Sequence, residues 1–280
     1  MSSASTGRVT IEEGVVFGTA GARDLKCDVY TPPGRPENAP AVLMVHGGSW
    51  RNGDRTQLRG YGILIGREGY LCVCTEYRLL DEAAWPAQIH DVKAAIRWMR
   101  ANSSRLGLDP ERIVIEGNSA GGHLALLAAG TPGRPEFEGE GGNPGVPTDV
   151  AAVLAVYPPT DLATMKRGVN EPIASSEEPN KVAEIVRTGS PINYVTPDFP
   201  PTLLIHGTKD ELVPYDQSVR MYQALEKAGV PVELHTYGNQ PHAFDAQPEY
   251  GRQTAATMLA FLKRFVTNPA KVAVSKQAMP

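Results

Sequence analysis

A mostly parallel β-sheet flanked by helices on both faces is the architecture this sequence predicts, on three observations. Apolar, strand-length runs alternate with helical patterns over most of the 280 residues. Apolar strands alternating with amphipathic helices imply a parallel sheet covered on both sides. In "IVIEGNSAGGHLALLAAG", residues 113–130, a strand-like run meets a helical run with only small residues between them.

In chain order, "RVTIEEGVVFG" and "RDLKCDVYTP" predict an antiparallel opening, closed by the Pro/Gly stretch "PPGRPENAP". "AVLMVHGG" is a continuous apolar strand, with helix-compatible sequence near Gln57–Glu68 after it, and "LCVCTEYRL" is the next strand. "PAQIHDVKAAIRWMRANSSRLG" carries Ile89, Val92, Ala95, Ile96 and Met99 at helical spacing and opens on Pro86. "RIVIEG", "VAAVLAVYP", "PTLLIHG" and "VELHTYG" supply four more strands, with helices expected at Tyr215–Ala228 and Tyr250–Thr267. Two segments break the rhythm. "TPGRPEFEGEGGNPGVPTD" reads as a surface loop, and residues 160–199 read as a cap-like insertion within one domain of residues 1–280.

Composition narrows the class. Hydrophobic residues make up 41% and charged residues 21%, as in ordinary globular proteins. The formal net charge of −4, without a basic stripe, gives no footprint for nucleic acid or an anionic membrane. The start "MSSASTGRVTIEEG" lacks the pattern of a secretory signal, and no apolar run is long enough to span a bilayer. Cys27, Cys72 and Cys74 read as core thiols, and a reducing cytoplasm is the expected compartment.

The chemistry centres on Gly117-Asn118-Ser119-Ala120-Gly121, a G-x-S-x-G pattern with a strand before and a helix after it. Close packing alone would also favour small residues there. A serine hydroxyl is a poor nucleophile at neutral pH, so the catalytic reading requires a general base and a group to orient it. Asp210 lies three residues past the glycine ending "PTLLIHG"; Glu211 and Asp216 read as solvated charges. Of six histidines, His90 and His123 fall in helices and His206 and His235 on strands, all suited to structural roles. His242, in "YGNQPHAFD", lies in the loop between the last strand and the last helix, where its imidazole can reach over the sheet edge. Ser119, Asp210 and His242 are therefore the expected nucleophile, orienting acid and base. The glycines of "VHGGSW" allow backbone N–H groups to turn toward a developing oxyanion.

These residues resemble the α/β-hydrolase superfamily, and within it esterases with an H-G-G-x-W motif. The nearest in pattern are the feruloyl-esterase-like and acetyl-esterase-like hydrolases, with hormone-sensitive-lipase-like esterases and kynurenine formamidases as cousins. The similar stretches include "VHGGSWRNGD", "LDPERIVIEGNSAGGHLALLAA" and "PHAF", within a region from about Asp28 to Phe244. The resemblance implies an α/β-hydrolase fold, an oxyanion hole from the N–H groups of Gly48, Ser49 and Ala120, and a loop-shaping role for His46. The sequence departs from those relatives at Asn118, where Gly or Asp is common, at Ser49, where a third glycine is common, and in the histidine loop "GNQPHAF".

The expected function is a serine carboxylic ester hydrolase working through an acyl-enzyme, without metal or organic cofactor, on a small-molecule ester. An arylformamidase or amidase with the same residues is the alternative enzyme; a non-catalytic hydrolase-fold binding protein is the alternative of another class. Trp50, Trp85 and Tyr157 are expected to line the substrate site and crowd its acyl side, favouring short acyl chains. A homodimer is left open.

Overall fold

The computed structural model describes residues 7–165, 173 and 179–269. Eight strands form one sheet in the order β1-β2-β4-β3-β5-β6-β7-β8. β1 (Thr10–Ala20) and β2 (Arg23–Thr31) pair antiparallel around a turn at Gly21, whose φ of +61° suits glycine. β2 is also antiparallel to β4 (Leu71–Thr75). From β4 onward every pairing is parallel, through β3 (Ala39–Val45), β5 (Leu108–Asn118), β6 (Ala152–Val156), β7 (Thr202–Gly207) and β8 (Val232–Tyr237).

The helices are α1 (Arg59–Gly66), α2 (Ala87–Ala101), α3 (Ser103–Leu106), α4 (Ala120–Gly130), α5 (Pro135–Glu138), α6 (Pro179–Thr188), α7 (Asp216–Lys227) and α8 (Pro248–Leu262). α8 runs on into a wider turn at Lys263–Thr267. Successive strand residues face opposite sides, so each apolar strand feeds two cores. Leu43 and Val45 join Ile89 and Ile96 of α2, Leu124 of α4 and Met221 of α7 on one face. Val42 and Met44 join Ile65 of α1 and Met258 of α8 on the other. This division makes near-continuous apolar strands necessary.

Cys72 and Cys74 share the second of these faces, and all three cysteines are buried and free. Burial pushes the Cys27 and Cys72 thiols up, which keeps them protonated and unreactive. The Gly/Pro-rich segment expected as a surface loop contains α5, whose Glu138 binds the fully buried Lys93 at 2.9 Å and Arg97 at 3.0 Å. Such pairing satisfies two cations that α2 would otherwise bury alone. Among the described residues, no helix is long and apolar enough to cross a membrane, and no cluster of side chains suits a metal ion.

Part of the 160–199 segment lies outside the described residues. The rest turns at Leu162–Thr164, forms α6 and a short turn at Pro191–Tyr194, and packs against α4.

Candidate active site

Parallel strands β3, β5, β6, β7 and β8 end in a row along the sheet's carboxyl edge, and the segments leaving those strand ends build the site. β5 turns into α4 through Ser119, which adopts φ +55° and ψ −119°, a left-handed backbone that a non-glycine residue rarely takes. Its N–H donates to the carbonyl of Val156 at 2.8 Å, tying the corner to β6. The neighbouring glycines are obligatory for steric reasons. A Cβ on Gly117 would collide with the backbone of Gly121, and one on Gly121 with the carbonyls of Val45 and His46. The corner is therefore compressed against the end of β3, and the serine hydroxyl is lifted toward the surface.

The structure brings Ser119, His242 and Asp210 together in one hydrogen-bonded row. Ser119 Oγ–H donates to His242 Nε2 at 2.9 Å, and His242 Nδ1–H donates to Asp210 Oδ2 at 2.6 Å. Asp210 Oδ1 accepts the N–H groups of Leu212 (3.0 Å) and Val213 (2.8 Å). Burial works to raise the Asp210 carboxyl. Hydrogen bonds from His206 and His242 and from the Val213 N–H outweigh it and hold the group well below the usual carboxylate range. A fixed negative charge thus sits behind the imidazole. Glu211 and Asp216 are exposed, as expected of solvated charges.

The Gly-rich turn after β3 faces the same corner. Gly48, Ser49 and Trp50 have φ of +115°, +53° and +58°, and the N–H groups of Arg51 and Asn52 both donate to the Gly48 carbonyl. With that carbonyl turned away, the backbone of the turn curls toward Ser119. A Cβ on Gly47 would lie 2.9 Å from the Asn118 carbonyl and 3.3 Å from Ser119 Cβ, so turn and corner pack backbone to backbone. Ala120 is the first residue of α4, where an N–H has no partner in its own helix. His46 lies behind this turn. Its Nδ1–H donates to the Gly47 carbonyl at 2.7 Å, and its ring stacks on Tyr77 with centroids 4.3 Å apart. That placement makes His46 part of the loop's support.

A cleft of about 560 Å³ opens at Ser119 and His242. One wall is α1 with the residues before it, including Leu58, Tyr61 and Ile63; the opposite wall is the histidine loop and the start of α8, with Arg252 at the rim. Its surface is mostly apolar, as ligand clefts usually are. Of the three expected lining residues, only Tyr157 contributes to this cleft. Trp50 does not, which corrects the expectation. It is 1% exposed and its Nε1–H donates to His123 Nδ1, because an indole pointing inward finds both apolar cover and an acceptor there. Trp85 is half-buried, its ring 5.9 Å from that of His123, and it too lies away from the cleft. No described residue of the 160–199 segment lines the cleft.

Two further residues of the site, Tyr61 and Asp245, are not legible in the sequence. Tyr61 carries no motif that would reveal it. Asp245 was visible as a charged residue three positions after His242, but nothing in the linear sequence shows that it turns inward. It accepts hydrogen bonds from Tyr61 and Asn118 on Oδ2 (2.6 and 2.8 Å) and from Tyr157 on Oδ1 (2.5 Å).

The chain is similar to known esterases. Esterase LipC of Mycobacterium tuberculosis is 35% identical over 74% of this chain, and esterase LipQ of the same organism is 34% identical over 86%. The chain spans 53% and 60% of those two proteins, little more than half their length. A solved truncated carbohydrate esterase from gut microbiota superimposes with a TM-score of 0.81 and 26% identity, covering 94% of this chain and 99% of that one. The eight-stranded, mostly parallel sheet is thus an α/β-hydrolase fold. The BD-FAE family profile matches residues 27–225, from β2 through the serine corner and past Asp210, and the chain belongs to that family.

Proposed function

We propose that this protein is a serine carboxylic ester hydrolase that acts through an acyl-enzyme on esters of a short acyl group. The observation that carries the reading is the unbroken row from Ser119 Oγ through His242 to Asp210 at 2.9 and 2.6 Å. In this mechanism Ser119 Oγ attacks the ester carbonyl carbon while His242 Nε2 takes the hydroxyl proton. Asp210, ionised and buried, holds the imidazole tautomer and stabilises the imidazolium. The N–H groups of Gly48, Ser49 and Ala120 hold the oxyanion. The C–O bond to the alcohol then breaks as His242 returns the proton to the leaving oxygen. Water, deprotonated by His242, attacks the acyl-serine, releases the carboxylic acid and restores the Ser119 hydroxyl.

The cleft supports a reading of where the two halves of the ester sit. It is lined by His242 and by Ala243, Asp245 and Ala246 just beyond it. The leaving oxygen must approach His242 Nε2 to receive its proton, so the alcohol half occupies this space. Its apolar walls suit an aryl or otherwise apolar alcohol. The acyl half is left the end of the same cleft at Gly47, where the turn packs against the serine corner and a small group fits. The esterase names of LipC and LipQ support the reaction class.

The test is covalent labelling combined with a substrate panel. Paraoxon should add its diethylphosphoryl mass to the peptide containing Ser119 and abolish turnover in proportion. Among p-nitrophenyl esters, acetyl to butyryl should be turned over fastest. Labelling at another residue, or faster cleavage of formyl anilides than of aryl esters, would replace this reading.

A further inference from the structure

Three hydrogen-bond donors from three separate elements converge on the carboxylate of Asp245. Tyr61 comes from α1, Asn118 from the last position of β5, and Tyr157 from the residue after β6. Tyr157 Oη also accepts from Asn118 Nδ2 at 2.9 Å, which commits its own hydrogen to Asp245. Every neighbour therefore offers a hydrogen, and the centre of the cluster must be an acceptor on both oxygens. A carboxylate meets that requirement. An amide of the same shape would turn at least one N–H toward a donor.

The cluster touches both partners of the Ser119–His242 bond without touching the hydroxyl or the imidazole nitrogens. Asn118 is bonded directly to Ser119 along the chain, and its side chain is fixed by Asp245. The ring of Tyr157 lies against the ring of His242, centroids 4.5 Å apart, and its hydroxyl is fixed by the same carboxylate. Asp245 itself comes three residues after His242, across a left-handed Ala243 (φ +54°) and a buried Phe244 that packs on Tyr157. One side chain thus ties the histidine loop to the serine corner. Through Tyr61 it also ties both to the α1 wall of the cleft. Glu116, two residues before Asn118 on the same strand, is fully buried, and among the described residues neither of its carboxyl oxygens has a hydrogen-bond partner. A charge there would be unpaired, and burial accordingly pushes the Glu116 carboxyl well above its ordinary value, toward the neutral form.

We propose that Asp245 is a positioning residue for acylation, holding Ser119 and His242 at bonding distance through Asn118 and Tyr157. This rests on the esterase reading of the same site. General-base catalysis needs the hydroxyl and Nε2 within hydrogen-bond reach, and a displacement of about 1 Å costs on the order of 100-fold in rate.

The test compares wild type, Asp245→Asn, Asn118→Asp and the reciprocal pair Asn118→Asp with Asp245→Asn. Each is assayed for the rate of paraoxon addition to Ser119 by intact mass, and for kcat and KM on p-nitrophenyl acetate. Asp245→Asn should slow both phosphorylation and kcat by roughly 10- to 100-fold while KM stays within about threefold. Asn118→Asp alone sets two carboxylates against each other and should also be slow. The reciprocal pair again matches an acceptor with a donor across 118 and 245, and should recover part of the lost rate, since Tyr61 and Tyr157 still face an amide at 245. A purely structural role would lower the melting temperature and leave the phosphorylation rate per folded molecule unchanged. If Asp245→Asn does not fold, Tyr157→Phe removes one arm alone, and an unchanged phosphorylation rate in it overturns the proposal. A wild-type protein that paraoxon does not label defeats the esterase reading. A labelled wild type with an equally reactive Asp245→Asn defeats this inference alone.

Discussion

The indole N–H of Trp50 donates to His123 Nδ1 at 3.3 Å, and His123 Nε2–H donates to the Gly189 carbonyl at 2.6 Å. One neutral imidazole therefore joins the turn after β3, the helix behind Ser119 and the segment after α6. Its tautomer is fixed, since Nδ1 must accept and Nε2 must donate. The backbone N–H of the same histidine donates to the Ser119 carbonyl, one turn back along α4. The turn proposed to hold the oxyanion is thus anchored to the helix that begins at the serine corner.

Trp50→Ala should consequently act on stability and not on substrate choice. A fully buried indole is lost together with its hydrogen bond, at a cost of about 3–5 kcal/mol. Denaturant unfolding should show the loss, while the ranking of p-nitrophenyl esters by acyl length stays that of the wild type. A variant that accepts longer acyl chains without losing stability would return Trp50 to the substrate site.

His123 also sets an acid limit. Burial lowers its pKa to about 4 from an ordinary value of 6.5, against an opposing bond to the Gly189 carbonyl. Between these values the unfolded chain binds a proton that the folded chain does not, so stability falls as pH drops through that window. The contribution is about 3 kcal/mol if the whole shift is realised. Protonation would also turn Nδ1 into a donor facing the donor of Trp50. Unfolding free energies measured at pH 4.5, 5.5 and 7 should decline toward acid, and less steeply in His123→Gln. Equal slopes in the two proteins would dissociate acid sensitivity from this residue.

Much of this was legible in the sequence because it is written locally. Continuous apolar strands and the glycines flanking Ser119 state their constraints within a few residues. The order of serine, acid and histidine is set by which strand ends each one occupies. Other features were hidden for equally physical reasons. Whether Trp50 faces substrate or core depends on a histidine 73 residues away on another element. The inward turn of Asp245 depends on donors from α1, β5 and the end of β6, which the linear sequence does not bring together. The antiparallel opening, the place of Cys72 and Cys74 in the core and the solvated Glu211 needed only alternation and position, and these agree with the structure.

Glu116 offers the opposite pH dependence. Burial raises its pKa well above the ordinary 4.5, with the Asp245 charge adding to the effect. The folded chain therefore keeps a proton that the unfolded chain releases. That contribution is fully present below the unfolded pKa and is lost as pH rises toward the folded one. Glu116→Gln has nearly the same shape and no proton to lose. It should match the wild type near pH 4 and exceed it in melting temperature at pH 7 and above. Lower stability of the glutamine variant at pH 8 would mean that the carboxyl is paired in a way its surroundings do not suggest.

The sharpest separation is between two adjacent carboxylates. Asp210 is almost fully buried, accepts His242 Nδ1–H and two backbone N–H groups, and has His206 Nε2 at 3.3 Å. Glu211, next along the chain, is exposed. In Asp210→Asn the side chain can present an N–H to His242, which favours the tautomer with its hydrogen on Nε2, where the Ser119 proton must go. The loss in kcat should be large, roughly 10⁴-fold by analogy with other serine triads. KM should change little, because Asp210 lies behind His242 and away from the cleft. Since the row acts as a unit, Asp210→Asn combined with His242→Ala should be no worse than the poorer single variant. Glu211→Gln should retain wild-type kcat within about twofold, as surface changes away from a site usually do. Steady-state kinetics on p-nitrophenyl acetate, normalised to folded protein, decides the matter: a damaging Glu211→Gln beside a mild Asp210→Asn would transfer the orienting role to the neighbouring carboxylate.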